Sequence, residues 1–126
     1  MTHWAILLAG IAVYSCSAQA HDAKHPELKD WYGGLHNGNK FPCCDGQEAR
    51  HLADFDWDTE CEQNNFGEKN CHYRVFLHGK WWNVPASSVV DGPNLDGSAL
   101  VWEVPQWNNA KIFSNEIRCF MPGAGG

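Results

Sequence analysis

The sequence lacks an apolar run long enough to cross a membrane and lacks the basic stripe that nucleic-acid binding requires. Its longest apolar stretch, WAILLAGIAVY, is shorter than the roughly 20 residues of a membrane-spanning helix. Nine Lys and Arg residues stand against 15 Asp and Glu residues, and the net charge is −6. No Cys-x-x-Cys pair is present, which disfavours a thiolate zinc site. We therefore expect no stable membrane span and no nucleic-acid partner.

The first 20 residues have the pattern of a secretory signal peptide. The apolar run is followed by SCSAQA, and the final AQA is a small-x-small cleavage site. Lipid attachment at Cys16 is the alternative, but Tyr14 fits such a motif poorly. We expect cleavage after Ala20, so that residues 1–20 are the signal peptide. Residues 21–126 would then form a single periplasmic or secreted domain.

Five cysteines remain in the predicted exported part, and cysteines in small exported domains usually form disulfides. We expect Cys61 to bond to Cys71 across a hairpin, and Cys119 to bond to either Cys43 or Cys44. The odd count leaves one thiol that is free, capped or bridging. A cysteine nucleophile needs a base and access, and the sequence marks no base. We therefore expect a protein that is not an enzyme.

The predicted Cys61–Cys71 bond sets the register of a β-hairpin. On one face it pairs side chains that are mostly apolar: Phe55 with Leu77, Trp57 with Val75, and Thr59 with Tyr73. On the other face it pairs opposite charges: Asp54 with His78, Asp58 with Arg74, and Glu60 with His72. A slip of one residue would destroy both sets, which favours this register.

Further strands are indicated on both sides of turn signals. His78-Gly79 predicts a tight turn into a strand over Lys80–Pro85, which places Phe76 and Trp81 together on the polar face. Later strands are expected at Ala99–Val104 and Glu116–Met121. HPELKDWYGGL predicts a helix of two turns at most near the N-terminus. We expect a mostly β fold: a small antiparallel sheet or barrel of about five strands, stapled by disulfides, with one short N-terminal helix.

Several stretches together resemble a family of small exported proteobacterial proteins, rich in Cys and Trp, of unknown activity. The matching stretches, in order along the chain, are DWYGGLHN, CC, GKWWNVP and IRCFMPG. The family pattern has a further cysteine soon after the CC pair and another before IRC; neither is present here. The resemblance implies a periplasmic or secreted location and a compact β fold, and it supplies no reaction.

The segment ADFDWDTECE carries a carboxylate at every second position from residue 54 to residue 62. On an extended strand these side chains would project from one face, about 6.6 Å apart. Oxygen ligands at that spacing suit a hard cation such as calcium or a lanthanide. The predicted metal ligands are Asp54, Asp56, Asp58, Glu60 and Glu62. Such an open site could bridge two copies of the chain as a metal-linked homodimer. The alternative is a solvated face with ion pairs, favoured by Arg74 opposite Asp58.

The sequence suggests two alternative binding sites. The new N-terminus would offer His21 and His25 to a copper ion. Alternatively, exposed aromatic side chains at Phe76, Trp81 and Trp107 could bind a carbohydrate such as peptidoglycan, or a protein.

Overall fold

The computed structural model of the chain describes residues 26–44 and 49–124. The predicted signal peptide and the candidate copper ligands His21 and His25 lie outside the described residues. A 3-10 turn at Pro26–Leu28 leads into a short helix, α1 (Lys29–Gly33), as predicted. Within the described residues six strands follow: β1 (Arg50–Leu52), β2 (Trp57–Gln63), β3 (Lys69–Leu77), β4 (Lys80–Asn83), β5 (Ala99–Asn108) and β6 (Lys111–Met121).

The strands form two antiparallel sheets of three strands each, ordered β1-β5-β6 and β2-β3-β4. The mostly β, disulfide-stapled fold is therefore confirmed, although the strands divide between two sheets rather than forming one. Sequence analysis missed β1, because its three residues are too few to show an alternating pattern.

The first half of β5 is the centre of the packing, because both of its faces are buried there. Leu100 and Trp102 face a cluster that includes Tyr32 of α1, while Ala99 and Val101 face the β2-β3-β4 sheet. The β1-β5-β6 sheet is thus a middle layer between the N-terminal segment and the second sheet. A continuous apolar run, ALVW, is what such a doubly covered strand requires.

The predicted hairpin register is confirmed from Trp57–Val75 through Cys61–Cys71. It is wrong before Trp57, because Asp54–Asp56 form a 3-10 turn closed by a hydrogen bond of 2.9 Å from Asp56 N to Ala53 O. Asp54 and Phe55 therefore have no strand partner, and Phe55 is 82% exposed. The alternating pattern did not reveal this turn. The available signal was the pair of aspartates, since Asp disfavours strands and favours turns.

Two tight turns close the other hairpins. His78 and Gly79 have φ values of 55° and 75°, so the predicted turn between β3 and β4 is confirmed. Asn109 and Ala110 have φ values of 48° and 63° and join β5 to β6. These last strands are longer than predicted, because the pairing continues through Pro105 and takes in much of the segment expected to be a loop.

Both expected disulfides are present. Cys61 bonds to Cys71, and Cys119 bonds to Cys43, which decides between the two candidates. Cys44 is also disulfide-bonded, so the described residues include no free thiol. No helix in the described part of the chain has the length and apolar character needed to cross a membrane. The disulfides are consistent with an oxidising compartment.

Candidate functional site

The five acidic side chains predicted to bind a cation do not line one strand. Asp54 and Asp56 belong to the 3-10 turn, whereas Asp58, Glu60 and Glu62 share one face of β2. Within residues 26–44 and 49–124, no three His, Cys, Asp or Glu side chains are grouped so as to hold a metal ion. The hard-cation site and the metal-linked homodimer remain predictions.

Arg74 already binds two of these carboxylates. Its Nε and Nη2 donate to the two oxygens of Asp58 at 2.9 and 2.6 Å, and its Nη1 lies 2.8 Å from Glu60. The hydrogen bonds and positive charge of Arg74 lower the pKa of Asp58 despite some desolvation. The cross-strand ion pair expected from the register is therefore formed, and a cation would have to compete with this guanidinium.

The same arginine belongs to an exposed aromatic cluster. Phe76 and Trp81 are cross-strand neighbours whose ring centroids lie 5.3 Å apart, and they are 37% and 42% exposed. The guanidinium carbon of Arg74 lies 4.7 Å from the centroid of the Trp81 ring. Asp58 and Glu60 thus bind Arg74 in the position from which it contacts the Trp81 ring. We call Arg74, Phe76 and Trp81 the aromatic patch.

Polar groups continue the patch along β4. Asn83 lies two residues after Trp81 and projects from the same face of the strand. Its Oδ1 lies 3.1 Å from Nε2 of His72. His72 is the cross-strand neighbour of Glu60, as predicted, but its side chain bonds to Asn83 and not to Glu60. Among the described residues, no partner is assigned to the amide nitrogen of Asn83. Sequence analysis missed Asn83, although its spacing from Trp81 was the available signal.

Trp107 belongs to a different cluster. In the described part of the chain its ring packs edge-on against His78 at 5.2 Å and not against Phe76 or Trp81. It lies on β5 rather than in a loop, and it is 52% exposed. The three predicted aromatic residues therefore form one pair and one separate tryptophan.

His78 also contacts a buried carboxylate that sequence analysis missed. Its Nε2 lies 2.9 Å from Oε1 of Glu103 on β5, and Arg50 Nη2 lies 3.1 Å from the same oxygen. Asn115 Nδ2 donates to Oε2 of Glu103 at 2.7 Å. Glu103 thus links β1, β5 and β6 to the turn between β3 and β4. Burial with three partners indicates a structural role that joins the two sheets.

A second buried acid fixes the N-terminal layer. Asp96 accepts hydrogen bonds from the hydroxyl of Tyr32 and from His51, whose Nε2 lies 3.0 Å away. Burial by itself would raise the pKa of Asp96, but the hydrogen bonds from Tyr32 and His51 lower it below its usual value. No candidate nucleophile is among these contacts, so this cluster too is explained by stability.

Comparisons with known proteins gave no match: no family model, curated protein or solved structure is significantly similar to this chain.

Proposed function

We propose that this chain is a periplasmic or secreted binding protein, not an enzyme, and that its aromatic patch binds a carbohydrate of the cell wall or its surroundings. The observation that carries the proposal is the clustering of Phe76 and Trp81 at the surface, with ring centroids 5.3 Å apart and the Arg74 guanidinium over the Trp81 ring. Trp102 and Phe120 are fully buried, whereas the patch aromatics remain on the surface. Single exposed rings are common, but neighbouring large rings held together at the surface are typical of binding sites.

The arrangement of the patch supports a binding role because it reduces the entropy lost on binding. Arg74 is held by two carboxylates and stacks on Trp81, so the ring is ordered before any ligand arrives. The two carboxylates more than offset the single positive charge of Arg74, which makes the patch a poor site for phosphate or other anions. A neutral ligand with apolar ring faces and hydroxyl groups suits this combination.

The exported location is supported by the cysteine chemistry and by the signal-peptide pattern. Both Cys43–Cys119 and Cys61–Cys71 need an oxidising compartment to persist. The resemblance to small exported proteobacterial proteins supports the same location. Peptidoglycan is a carbohydrate that such a protein would meet there.

Retention on insoluble glycan tests the proposal. The purified protein is mixed with peptidoglycan or chitin, the solid is sedimented, and the bound fraction is measured. We expect Trp81→Ala to reduce the affinity by about tenfold or more, which corresponds to roughly 1.4 kcal/mol of lost contact. Phe66→Ala is the matched control, because Phe66 is 87% exposed in the β2–β3 loop, away from the patch.

Two results would contradict the proposal. Wild-type protein that stays in solution with both solids would exclude carbohydrate of these kinds as the ligand. Equal retention of Trp81→Ala and wild type would show that the patch is not the site. Thermal unfolding of each variant shows whether a loss of retention reflects binding or folding.

A further inference from the structure

A groove of about 290 Å³ begins at Asn83, two residues after Trp81 on β4. Three segments distant in sequence form its walls: the loop at 37–41, the end of β4 with the turn that follows it, and the middle of β6. Its volume is close to the lower end of the range for small-molecule sites, roughly 300–1,000 Å³. Asn83 lines the groove and projects from the same face of β4 as Trp81, about 6.6 Å further along the strand, so a ligand of more than one sugar unit can contact both.

The walls of the groove are fixed to each other by hydrogen bonds. Gly38 N donates to Ser87 O at 2.8 Å, and a Cβ at Gly38 would lie only 3.1 Å from that oxygen. Asn37 Nδ2 donates to the carbonyl of Arg118 at 2.9 Å, and Ser88 Oγ donates to the carbonyl of Ile117 at 2.6 Å. The Cys43–Cys119 disulfide holds the same loop to β6. The groove is therefore formed before any ligand binds.

The lining of the groove combines neutral polar groups with one exposed ring. In the part of the chain that the structure describes, the side chains of Asn39 and Ser87 have no assigned hydrogen-bond partner. Phe41 is 62% exposed at the groove. Glu116 and Arg118 contribute one charge of each sign, so the lining has no net charge. Amide and hydroxyl groups both donate and accept, as the hydroxyl groups of a sugar require.

We infer that this groove binds a neutral sugar unit of the same glycan that contacts the aromatic patch. This inference rests on the proposed function and adds the subsite where the polar groups of the sugar are bound. Asn39, Asn83 and Ser87 supply hydrogen bonds, and Phe41 packs against the ring. A phosphorylated ligand is disfavoured by the neutral lining, and a protein partner by the small concave shape.

Titration with soluble oligosaccharides tests the inference. Isothermal titration calorimetry is performed with short chito-oligosaccharides and with cello-oligosaccharides, which lack the acetamido group. We expect Asn39→Ala combined with Ser87→Ala to weaken binding of at least one probe by about tenfold, since each lost hydrogen bond weakens binding several-fold. Asn70→Ala is the matched control, because Asn70 is exposed and faces Glu62 near the far end of the β2–β3 hairpin.

A second pair of variants keeps the test valid if the double substitution unfolds the protein. Phe41→Ala removes only an exposed ring and is expected to weaken binding about five- to tenfold, whereas Phe66→Ala should leave it unchanged. Wild-type affinity in both groove variants, together with loss in Trp81→Ala, would overturn the groove and leave the proposed function standing. Failure of the wild type to bind any soluble or insoluble glycan would overturn both.

Discussion

The two sheets have the same number of strands but opposite relations to solvent. The first five residues of β5 are all buried, and Ile117 and residues 119–121 of β6 are buried as well. On β2 no residue is fully buried, and on β3 only Val75 and Leu77 are. The β1-β5-β6 sheet therefore supplies most of the core. The β2-β3-β4 sheet packs one face against that core and exposes its other face to water. Binding residues can occupy that second face at little cost in stability.

The disulfides repeat this contrast. Cys43–Cys119 is buried and joins residues 76 positions apart, whereas Cys61–Cys71 is exposed and joins residues only 10 positions apart. A disulfide stabilises mainly by restricting the unfolded chain, and longer loops gain more. The buried bond should thus stabilise the whole domain, while the exposed bond fixes one hairpin.

The largest expected effect is from removal of the buried disulfide. Cys43→Ala with Cys119→Ala should lower the free energy of unfolding by about 4–5 kcal/mol, against about 2–3 kcal/mol for Cys61→Ala with Cys71→Ala. Urea denaturation of the three proteins measures both values. Equal losses in the two variants would show that the buried and the exposed disulfide stabilise the domain equally.

A smaller effect is expected from the carboxylate that joins the sheets. Glu103→Gln keeps the shape of the side chain but removes the charge that Arg50 and His78 contact, and should cost about 1–3 kcal/mol. Glu116→Gln, on the neighbouring strand and exposed, is the control and should change stability by less than about 0.5 kcal/mol. Urea denaturation at neutral pH compares them, and similar midpoints would argue against a linking role for Glu103.

Acid should destabilise the N-terminal layer through Asp96. Because folding lowers the pKa of Asp96 from its usual 3.8, the stabilisation is complete above that value and is lost as the pH falls through the folded-state pKa. Asp96→Asn should therefore be less stable than wild type at neutral pH and lose less on acidification. Thermal unfolding midpoints from about pH 7 to about pH 2 measure this. An Asp91→Asn variant, at an exposed position, should follow the wild-type curve.

The smallest expected effect is that of added cations on the exposed sheet. The hard-cation hypothesis requires that calcium or a trivalent lanthanide bind, and that Asp54→Asn with Asp56→Asn weaken the binding. Since Arg74 holds Asp58 and Glu60, Arg74→Gln should strengthen it by freeing both carboxylates. Isothermal titration measures the affinity. Absence of heat up to millimolar ion, in wild type and in Arg74→Gln, would exclude this cation site.

Sequence analysis succeeded where the determinants are local. The pairing of β2 with β3 follows from one disulfide and from alternation over fewer than 20 residues, and the β3–β4 turn follows from His78-Gly79. It failed at Asp54–Asp56, where the same alternation fits a turn as well as a strand. It also missed Glu103, because nothing in VWEVP shows that an acid among apolar neighbours will find partners on other strands.

The sequence by itself determined the mostly β fold, the disulfide staples, the β2-β3-β4 register and the placement of Phe76 beside Trp81. These depend on periodicity and on contacts between residues close in the chain, which a linear pattern records. Only the tertiary structure decided which of Cys43 and Cys44 meets Cys119, how the strands divide between two sheets, and where the groove lies. Each of these depends on segments tens of residues apart, whose meeting is set by packing around β5 rather than by any local pattern.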